Sequence, residues 1–505
     1  MTHYLQRPAT RLRALLLGAT FALATAGAQA QSVSAPSGNP PPADDHPLTW
    51  HGITLYGIVD VGVQYDTHSA PFSDWFPGGS ADIVQKNSNG SVVGVTPSNL
   101  SQSRIGLQGK EPLGVGDWSG VFKLETFFNP QSGEISDGLK SLTTNNGKSL
   151  TSQSVDLDTS VAGQPFQQAF AGVSSAAWGT ITFGRQNTVL ADGISKYDPE
   201  GASQAFSVIG LSGTTAGGGD TQDRRLDDSI KYTGKFFNFA HLALQAKLPN
   251  GSASAWRSGG GSGEAYTALE GMVGADYAGA SVDLFYTKIK DAVSASLLSA
   301  GAIADLTNAG TSYSLGNSLA GTISDNDALA IMAQYNFGNL LSFNGQAGPT
   351  VYGAWERITY MNPSIPLPTT GEPTNVVPAG QAFTDIGGYQ LVIVNNSAYA
   401  KHDKTLQVYW AGVKMPLAPH FDVTLAYYGY KQSSYATGAD AGCSSVVSGA
   451  CSGFLSAASL AGDYRFTKRF DAYAGFMWSN VSHGLANGYL NTTNVDPTIG
   501  VRYSF

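Results

Sequence analysis

The segment Gly179-Thr-Ile-Thr-Phe-Gly-Arg-Gln186 alternates polar and apolar residues, as a β-strand does when one of its faces is apolar. A second alternating run, Asp228-Ser-Ile-Lys-Tyr-Thr233, follows it. The roughly forty residues between the two runs show no convincing strand or amphipathic helix, and an unstructured connection of that length is usually functional. Acidic residues outnumber basic ones there until Arg224 and Arg225 are reached. We therefore expect a long acidic loop that joins two neighbouring strands.

The first 30 residues have the three parts of a secretory signal peptide. Three arginines come first, an apolar run from Ala14 to Ala26 follows, and Ala28-Gln-Ala30 provides the cleavage site. The apolar run is too short to cross a bilayer comfortably, which disfavours a membrane anchor. We expect cleavage after Ala30, and a flexible Pro/Ser-rich linker over residues 31–52.

Charge and composition narrow the class of protein. The formal net charge is −9, and removal of the signal peptide leaves 25 basic and 37 acidic residues, or −12. Nucleic acid is therefore not expected as a partner, because it requires a basic face. The 61 glycines, 23 tyrosines and 23 phenylalanines suit many short strands with tight turns. No later segment reaches the length of about eighteen apolar residues that indicates a membrane helix.

Alternating segments recur from Ile53 to the C-terminus. The last of them, Thr498–Phe505, places Ile499, Val501 and Tyr503 on a single face. Short and long connections alternate along the chain, which together with an even strand number is typical of an outer-membrane barrel. Periodicity alone leaves a soluble β-protein as an alternative, because its sheets also have one wet face. The sixteen predicted strands are 53–65, 104–111, 118–129, 167–174, 180–185, 229–233, 239–248, 266–277, 281–290, 328–337, 350–361, 404–415, 421–431, 453–466, 470–481 and 498–505.

Cys443 and Cys451 are the two cysteines of the chain, and they lie in a polar segment. In an exported protein, two nearby cysteines of this kind predict a local disulfide. A metal or redox pair is the alternative, but no His, Asp or Glu lies between them.

An ordered set of short motifs runs through the chain after the linker. The motifs are Leu55-Tyr-Gly-Ile-Val-Asp60, Ser103-Arg-Ile-Gly-Leu-Gln-Gly-Lys-Glu-Pro-Leu-Gly114, Ala169-Phe-Ala-Gly-Val173, Trp178-Gly-Thr-Ile-Thr-Phe-Gly-Arg-Gln186, Asp228-Ser-Ile-Lys-Tyr232 and Gly500-Val-Arg-Tyr-Ser-Phe505. This set resembles the general-diffusion porins of Gram-negative outer membranes, in the form common in beta-proteobacteria, and it covers nearly all of the chain after the linker. The resemblance implies that residues 53–505 form a sixteen-stranded antiparallel transmembrane β-barrel with short periplasmic turns and long external loops.

The resemblance also implies a function and its partners. The expected protein is a homotrimer in the outer membrane, surrounded by lipid and lipopolysaccharide. It would let ions and small hydrophilic solutes diffuse through a water-filled channel, without a cofactor. The family's third external loop folds into the barrel, and here that loop corresponds to residues 186–223.

In the resembling family, acidic residues on the third loop face basic residues on the opposite wall of the channel. This sequence departs from the family's pattern at two positions. Gln167 stands where a basic residue is common. Arg225 lies about two positions before the place of the family's sixth-strand arginine, and Asp227 occupies that place here. Because 225 and 227 share strand parity, we expect Arg225 still to face the lumen. The candidates are Asp192, Asp198 and Glu200 on the loop, and Arg104, Lys123, Arg225 and Lys231 on the wall.

The sequence leaves three alternatives to a general-diffusion channel, namely an enzyme, a metal site and a substrate-selective channel. An enzyme needs a nucleophile, a base and an orienting acid within reach, and none of the eight histidines lies in a G-x-S-x-G context. A metal site would need clustered His or Cys ligands, which the sequence lacks. A substrate-selective channel is the stronger alternative, since residues 291–327 and 362–403 form enlarged external loops that could bind a solute.

Overall fold

The fold is taken from a computed structural model. It describes residues 48–68, 91–131, 133, 135, 166–209, 225–248, 267–293, 320–338, 340–342, 346–362, 364, 393–396, 403–486 and 491–505. The predicted signal peptide lies outside these residues, as do nearly all of the predicted linker and most of the two enlarged external loops.

Within the described residues, nineteen strands belong to one sheet. They are β1 (Thr49–Trp50), β2 (Ile53–Asp66), β3 (Val92–Pro97), β4 (Arg104–Pro112), β5 (Ser119–Phe127), β6 (Phe166–Ser175), β7 (Gly179–Asn187), β8 (Arg225–Phe236), β9 (Ala240–Lys247), β10 (Thr267–Tyr277), β11 (Ala280–Val293), β12 (Ala320–Asn336), β13 (Thr350–Met361), β14 (Ile393–Asn396), β15 (Lys404–Ala418), β16 (Phe421–Gln432), β17 (Gly453–Arg465), β18 (Phe470–His483) and β19 (Thr493–Ser504). Helix α1 spans Val189–Tyr197, and short 3₁₀ helices span Gly438–Asp440 and Gly484–Ala486. No helix in the described part of the chain is long and apolar enough to cross a membrane.

Sixteen of the described strands form the wall of a closed antiparallel barrel. The last wall strand pairs with the first, from Thr498 opposite Gln64 to Ser504 opposite Ile58. The three short strands β1, β3 and β14 pair with wall strands without adding to the sixteen. Each of the sixteen predicted segments overlaps one wall strand, so the predicted sixteen-stranded barrel is confirmed. Closure leaves no sheet edge, as a strand protein in lipid requires.

The two faces of the wall differ as the alternation predicts. In β19, Ile499 and Val501 are exposed on the outside, while Asp496 and Arg502 are buried on the inside. The same pattern of outward apolar and inward polar side chains recurs in β5 and β9. The outer surface can therefore face hydrocarbon, and the inner surface can face water.

Helix α1 lies inside the barrel, where the sequence had predicted no helix. Its buried residues Val189, Leu190, Ile194 and Tyr197 fall on one helical face. Gly193 lies on that same face, and a Cβ there would come within 2.3 Å of the ring of Phe285. Glycine disfavours a helix interior, which weakened the sequence signal, yet here it lets the helix pack closely against the wall.

The inner wall beneath α1 is apolar, in contrast to the expected polar lining. Its side chains form one buried cluster with the helix. Its largest wall members are Phe285, Tyr360, Trp410, Tyr428 and Tyr430. The hydrophobic effect therefore holds the loop against one side of the barrel, and the polar side is left for water.

Candidate functional site: a charged constriction inside the barrel

The constriction segment, residues 188–209, enters the lumen directly after β7. Thr188 caps α1, because its Oγ1 accepts a hydrogen bond of 3.0 Å from the backbone N–H of Ala191. The carboxylate of Glu270 on β10 accepts a second bond, of 2.7 Å, from the N–H of Val189. Negative charge at a helix N-terminus is stabilising, since the unpaired N–H groups there carry partial positive charge. The start of the helix is therefore fixed from both its own chain and the wall.

The other end of α1 is also bound to the wall. Lys196 Nζ lies 3.3 Å from a carboxylate oxygen of Asp276 and 3.3 Å from one of Asp283. Trp410 Nε1 donates a 3.0 Å hydrogen bond to the carbonyl of Tyr197. These contacts reach strands on both sides of the helix, so they fix its depth in the lumen.

Asp192 is the predicted loop acid that the structure brings to the basic wall. Its carboxylate forms an ion pair with Lys231 on β8 and accepts a 3.0 Å hydrogen bond from Asn187 Nδ2. Lys231 Nζ also donates to the Asn187 carbonyl at 3.0 Å. The side chain of Asp192 remains 37% exposed, against 8% for Lys231. The carboxylate is thus held by the wall and still meets lumen water.

Arg104 and Lys123 lie beside each other on neighbouring wall strands, around one acid. Lys123 Nζ is 3.4 Å from Glu125 Oε2, and Arg104 Nη1 is 4.0 Å from the same oxygen. The hydroxyl of Tyr56 donates to it at 2.8 Å. The guanidinium group of Arg104 and the ammonium group of Lys123 share the single carboxylate of Glu125, so this part of the wall carries a net positive charge. Lys123 also interacts electrostatically with Asp192, which joins the wall to the loop.

Arg225 faces the lumen, but not because of strand parity. Its guanidinium lies 4.7 Å from the centroid of the Phe127 ring, and Phe127 is an inward residue of β5. The register of β7 and β8 shifts between Gly184 and Gln186, which breaks the simple alternation at this point. Asp227, at the position where the family's arginine was expected, forms an ion pair with Arg185.

Asp198 and Glu200 lie on the far side of the constriction segment from Lys231. Asp198 accepts hydrogen bonds from the hydroxyl of Tyr428 at 2.6 Å and from the N–H of Ala202 at 2.7 Å. Burial raises its pKa above the usual range for Asp, despite these bonds. Glu200 accepts a 3.3 Å bond from Ser459. Burial, and then the neighbouring Asp198 charge, raise the pKa of Glu200 to about 8.

These positions divide the three predicted loop acids into two groups. Asp192 presents a carboxylate to the lumen, whereas Asp198 and Glu200 are nearly fully buried against the barrel wall. A glutamic acid with a pKa of about 8 is mostly neutral at pH 7. Asp198 and Glu200 therefore act as attachments of the loop in this structure, and Asp192 is the acid that contributes exposed charge.

A cavity of about 470 Å³ runs between the constriction segment and the polar wall. Carboxylates outnumber bases among the described charged residues that line it. Asp283 on β11 pairs with His241 on β9 and with Lys196 on α1. The charged residues that line the cavity in the described part of the chain are Asp192, Asp198, Glu200, Asp276, Asp283, Asp422, Asp463, Lys196, Lys231, Lys414, Arg502 and His241.

Two wall acids that shape the site, Glu125 and Glu270, were not among the candidates from the sequence. The alternation places Glu125 on the lumen face together with Lys123, since the two are two residues apart, but nothing in the pattern marks it as the acid that Arg104 and Lys123 share. Glu270 also lay in a predicted strand, but its role depends on a helix that the sequence did not indicate. Cys443 and Cys451 form a disulfide in the connection between β16 and β17, away from the constriction.

Residues 18–353 match the family described as Gram-negative porin. An outer membrane porin protein of Bordetella pertussis is 31% identical over 153 residues, which are 30% of this chain and 32% of that protein. The match thus spans about a third of that relative's length.

Two solved structures share the fold. The anion-selective porin from Comamonas acidovorans aligns with a TM-score of 0.54 and 17% identity, over 90% of this chain and 99% of that one. OmpT of Vibrio cholerae, an outer membrane protein in its trimer form, aligns with a TM-score of 0.50 and 12% identity, also over 90% and 99%. At these identities the likeness concerns the barrel and not its selectivity.

Proposed function

The chain belongs to the Gram-negative porin family, and from this premise we propose that it is a water-filled channel of the outer membrane, through which ions and small hydrophilic solutes diffuse passively. The observation that carries the proposal is the charged cavity of about 470 Å³ that the constriction segment leaves open inside a closed barrel. Cavities of this size admit small molecules and exclude larger ones. No energy source is needed, because solutes move down their own gradients.

The charges around the cavity would sort the solutes that pass. Asp192 and Lys231 line the cavity as an ion pair, and Lys123 interacts electrostatically with Asp192 from the wall, where Arg104 lies near it around Glu125. Charged groups of both signs along the lining create a field in which water and polar solutes orient, whereas an apolar solute must disrupt the ordered water. Rings of charged side chains also bias ion selectivity. Carboxylates still outnumber lysines and arginines along the described lining when buried Asp198 and Glu200 are left out, so we expect a modest preference for cations.

The family and the fold point to a channel and not to an enzyme. In this proposal, the protein makes and breaks no covalent bond. The buried ionisable groups of the constriction segment stabilise its position: Asp198 receives a hydrogen bond from Tyr428, and Glu200 receives one from Ser459.

The proposal includes a homotrimer whose outer surface contacts lipid and lipopolysaccharide. Support comes from the trimer form of Vibrio cholerae OmpT, which has the same fold. The apolar outward side chains of the wall provide a surface suited to both lipid and neighbouring protomers, since neither environment offers water to polar groups.

Liposome swelling with a series of uncharged sugars tests this function. Purified protein reconstituted into liposomes should give swelling rates that fall smoothly as the sugar grows, because the cavity excludes by size. Equal rates for all sugars would contradict a narrowed channel, and no swelling from a folded protein would contradict any channel. Saturation by one solute class would instead favour a substrate-selective channel.

A further inference from the structure

A second segment of the chain enters the lumen besides the constriction segment. The first wall strand, β2, pairs through residues 61–66 with β3 and through residues 53–58 with β4. Residues 98–103 lie between β3 and β4, and we name them the inward turn. Ser98 within it has a positive φ of 60°, a backbone conformation that non-glycine residues adopt at an energetic cost. The second wall strand is therefore interrupted at mid-height.

Asp60 on β2 holds the inward turn from the wall. Its Oδ2 accepts hydrogen bonds from the backbone N–H of Leu100 at 2.9 Å and of Ser101 at 2.7 Å. Its Oδ1 accepts a hydrogen bond from the hydroxyl of Tyr473. Arg502 adds a 2.7 Å bond to the hydroxyl of Ser101. Asp60 is fully buried, so these donors replace the water that its carboxylate would otherwise bind.

The inward turn in turn binds the constriction segment through one carbonyl. The backbone oxygen of Asn99 accepts hydrogen bonds from the N–H of Gln204 at 2.9 Å and of Ala205 at 3.0 Å. The hydroxyl of Ser203 donates a third bond to it, at 2.8 Å. Three donors of the segment thus converge on a single acceptor about a hundred residues away in sequence.

Packing supports the same junction. The ring of Phe206 meets that of Tyr473 edge to face, with centroids 6.3 Å apart, and Leu100 packs against this pair. Gly62 allows the close approach, since a Cβ there would come within 2.6 Å of Asn99 Nδ2. The side chain of Asn99 donates to the hydroxyl of Tyr473 at 3.1 Å, so the tyrosine contacts both partners.

We propose that the inward turn is the positioning element of the constriction: residues 98–103, held by Asp60 and Tyr473, fix residues 203–206 in the lumen and thereby set the open width of the channel. This proposal rests on the channel function proposed above. Helix α1 is attached separately, to wall strands β10, β11 and β15. Loss of the contacts with the inward turn therefore releases residues 203–206 from the wall, while helix α1 stays attached.

Two conservative variants test the proposal in planar bilayers. Ser203→Ala removes one of the three hydrogen bonds to the Asn99 carbonyl, and Tyr473→Phe removes the hydroxyl that contacts Asp60 and Asn99 while keeping the ring against Phe206. Each should raise the frequency of brief current fluctuations at least about fivefold, the effect of losing one buried hydrogen bond, because each variant removes two such bonds. The double variant should also admit larger sugars than the wild type.

Matched controls keep the test specific. Ser175→Ala removes a hydroxyl that bonds to Asp117 at the end of β6, away from the cavity lining, and Tyr427→Phe removes a hydroxyl from another barrel strand that bonds to Ser456. Both should behave as the wild type does. The proposal is overturned if Ser203→Ala and Tyr473→Phe fold and conduct with unchanged fluctuations and an unchanged sugar limit. Absence of conductance in the wild type would instead overturn the channel function itself.

Discussion

The carboxylate of Glu270 accepts a 2.7 Å hydrogen bond from the N–H of Val189, although the two residues are 81 positions apart. A wall strand thus caps the helix that narrows the channel. Because Glu270 is buried, its carboxylate has exchanged water for the N-terminus of α1. The position of the constriction is therefore determined by the barrel as much as by the loop.

Replacement of this cap should loosen the helix. Glu270→Ala should raise hydrogen exchange of the α1 amides about fivefold, since loss of a capping interaction costs about 1 kcal/mol. Exchange followed by mass spectrometry over residues 188–197 measures the effect. Glu111→Gln is the control, because Glu111 lies exposed at the end of β4 and should change nothing. Equal exchange in wild type and Glu270→Ala would show that the cap does not hold the helix.

The ion pair of Asp192 and Lys231 predicts how selectivity responds to charge. Asp192→Asn should lower the cation-to-anion permeability ratio by about two- to fivefold at low salt, because one unit charge at about 4 Å in water is worth about 1 kcal/mol. Lys231→Met should raise the ratio, and the double variant should return it close to the wild-type value. Zero-current potentials in a salt gradient measure each ratio.

An exposed carboxylate outside the barrel lumen provides the control for the Asp192→Asn prediction. Asp440→Asn alters a carboxylate in the external connection between β16 and β17, and it should leave the ratio unchanged. If Asp192→Asn shifts the potential no more than Asp440→Asn does, Asp192 does not line the conducting path.

We expect the attachment of residues 198–206 to the wall to weaken as pH rises, because of Glu200. Burial raises its pKa from 4.5 to about 8, so its contribution is complete below about pH 4.5 and is lost as pH rises from there through about 8. The groups that face it are Asp198, Lys414, Ser459 and Tyr352. Ionised Glu200 repels Asp198, and Lys414 offsets only part of that repulsion.

The measurement is hydrogen exchange of residues 198–206, corrected for intrinsic rates, at pH 6 and pH 9. Wild type should exchange faster at pH 9, whereas Glu200→Gln should show the same corrected rate at both values. A pH response that persists in Glu200→Gln would assign it to another group, and a wild type without any response would contradict the raised pKa.

The disulfide is expected to act locally. Cys443→Ser together with Cys451→Ser should raise exchange in residues 436–452, since a cross-link over so short a loop contributes about 2–3 kcal/mol. Gln432 bonds to the carbonyl of Cys451 at 2.8 Å and keeps one end of the loop on the barrel. Conductance should be unchanged. A changed conductance would mean that this connection reaches the channel.

The wall strands were predictable because lipid and lumen water impose a period of two along each of them. Their ends were less so: β8 begins at Arg225 and β12 at Ala320, earlier than the alternation indicated. The pairing of β7 with β8 shifts register near the start of β8. Such a β-bulge adds a residue to one strand and so interrupts the alternation from which the strand was predicted.

The constriction was predictable in place but not in detail. Charge and length marked the loop, whereas the helix within it depends on a cap from Glu270 and on Gly193 fitting against Phe285. The burial of Asp198 depends on Tyr428, which lies 230 positions away. Contacts of this kind arise from the closed barrel, so no local pattern in the sequence could have separated Asp192 from the other two loop acids.

The most direct test is single-channel recording of the purified wild-type protein in a planar bilayer. We expect stepwise conductance increases, each from an open channel with a linear current–voltage relation at low voltage and a modest preference for cations in a salt gradient. A folded, membrane-inserted barrel that gives no conductance steps would contradict it.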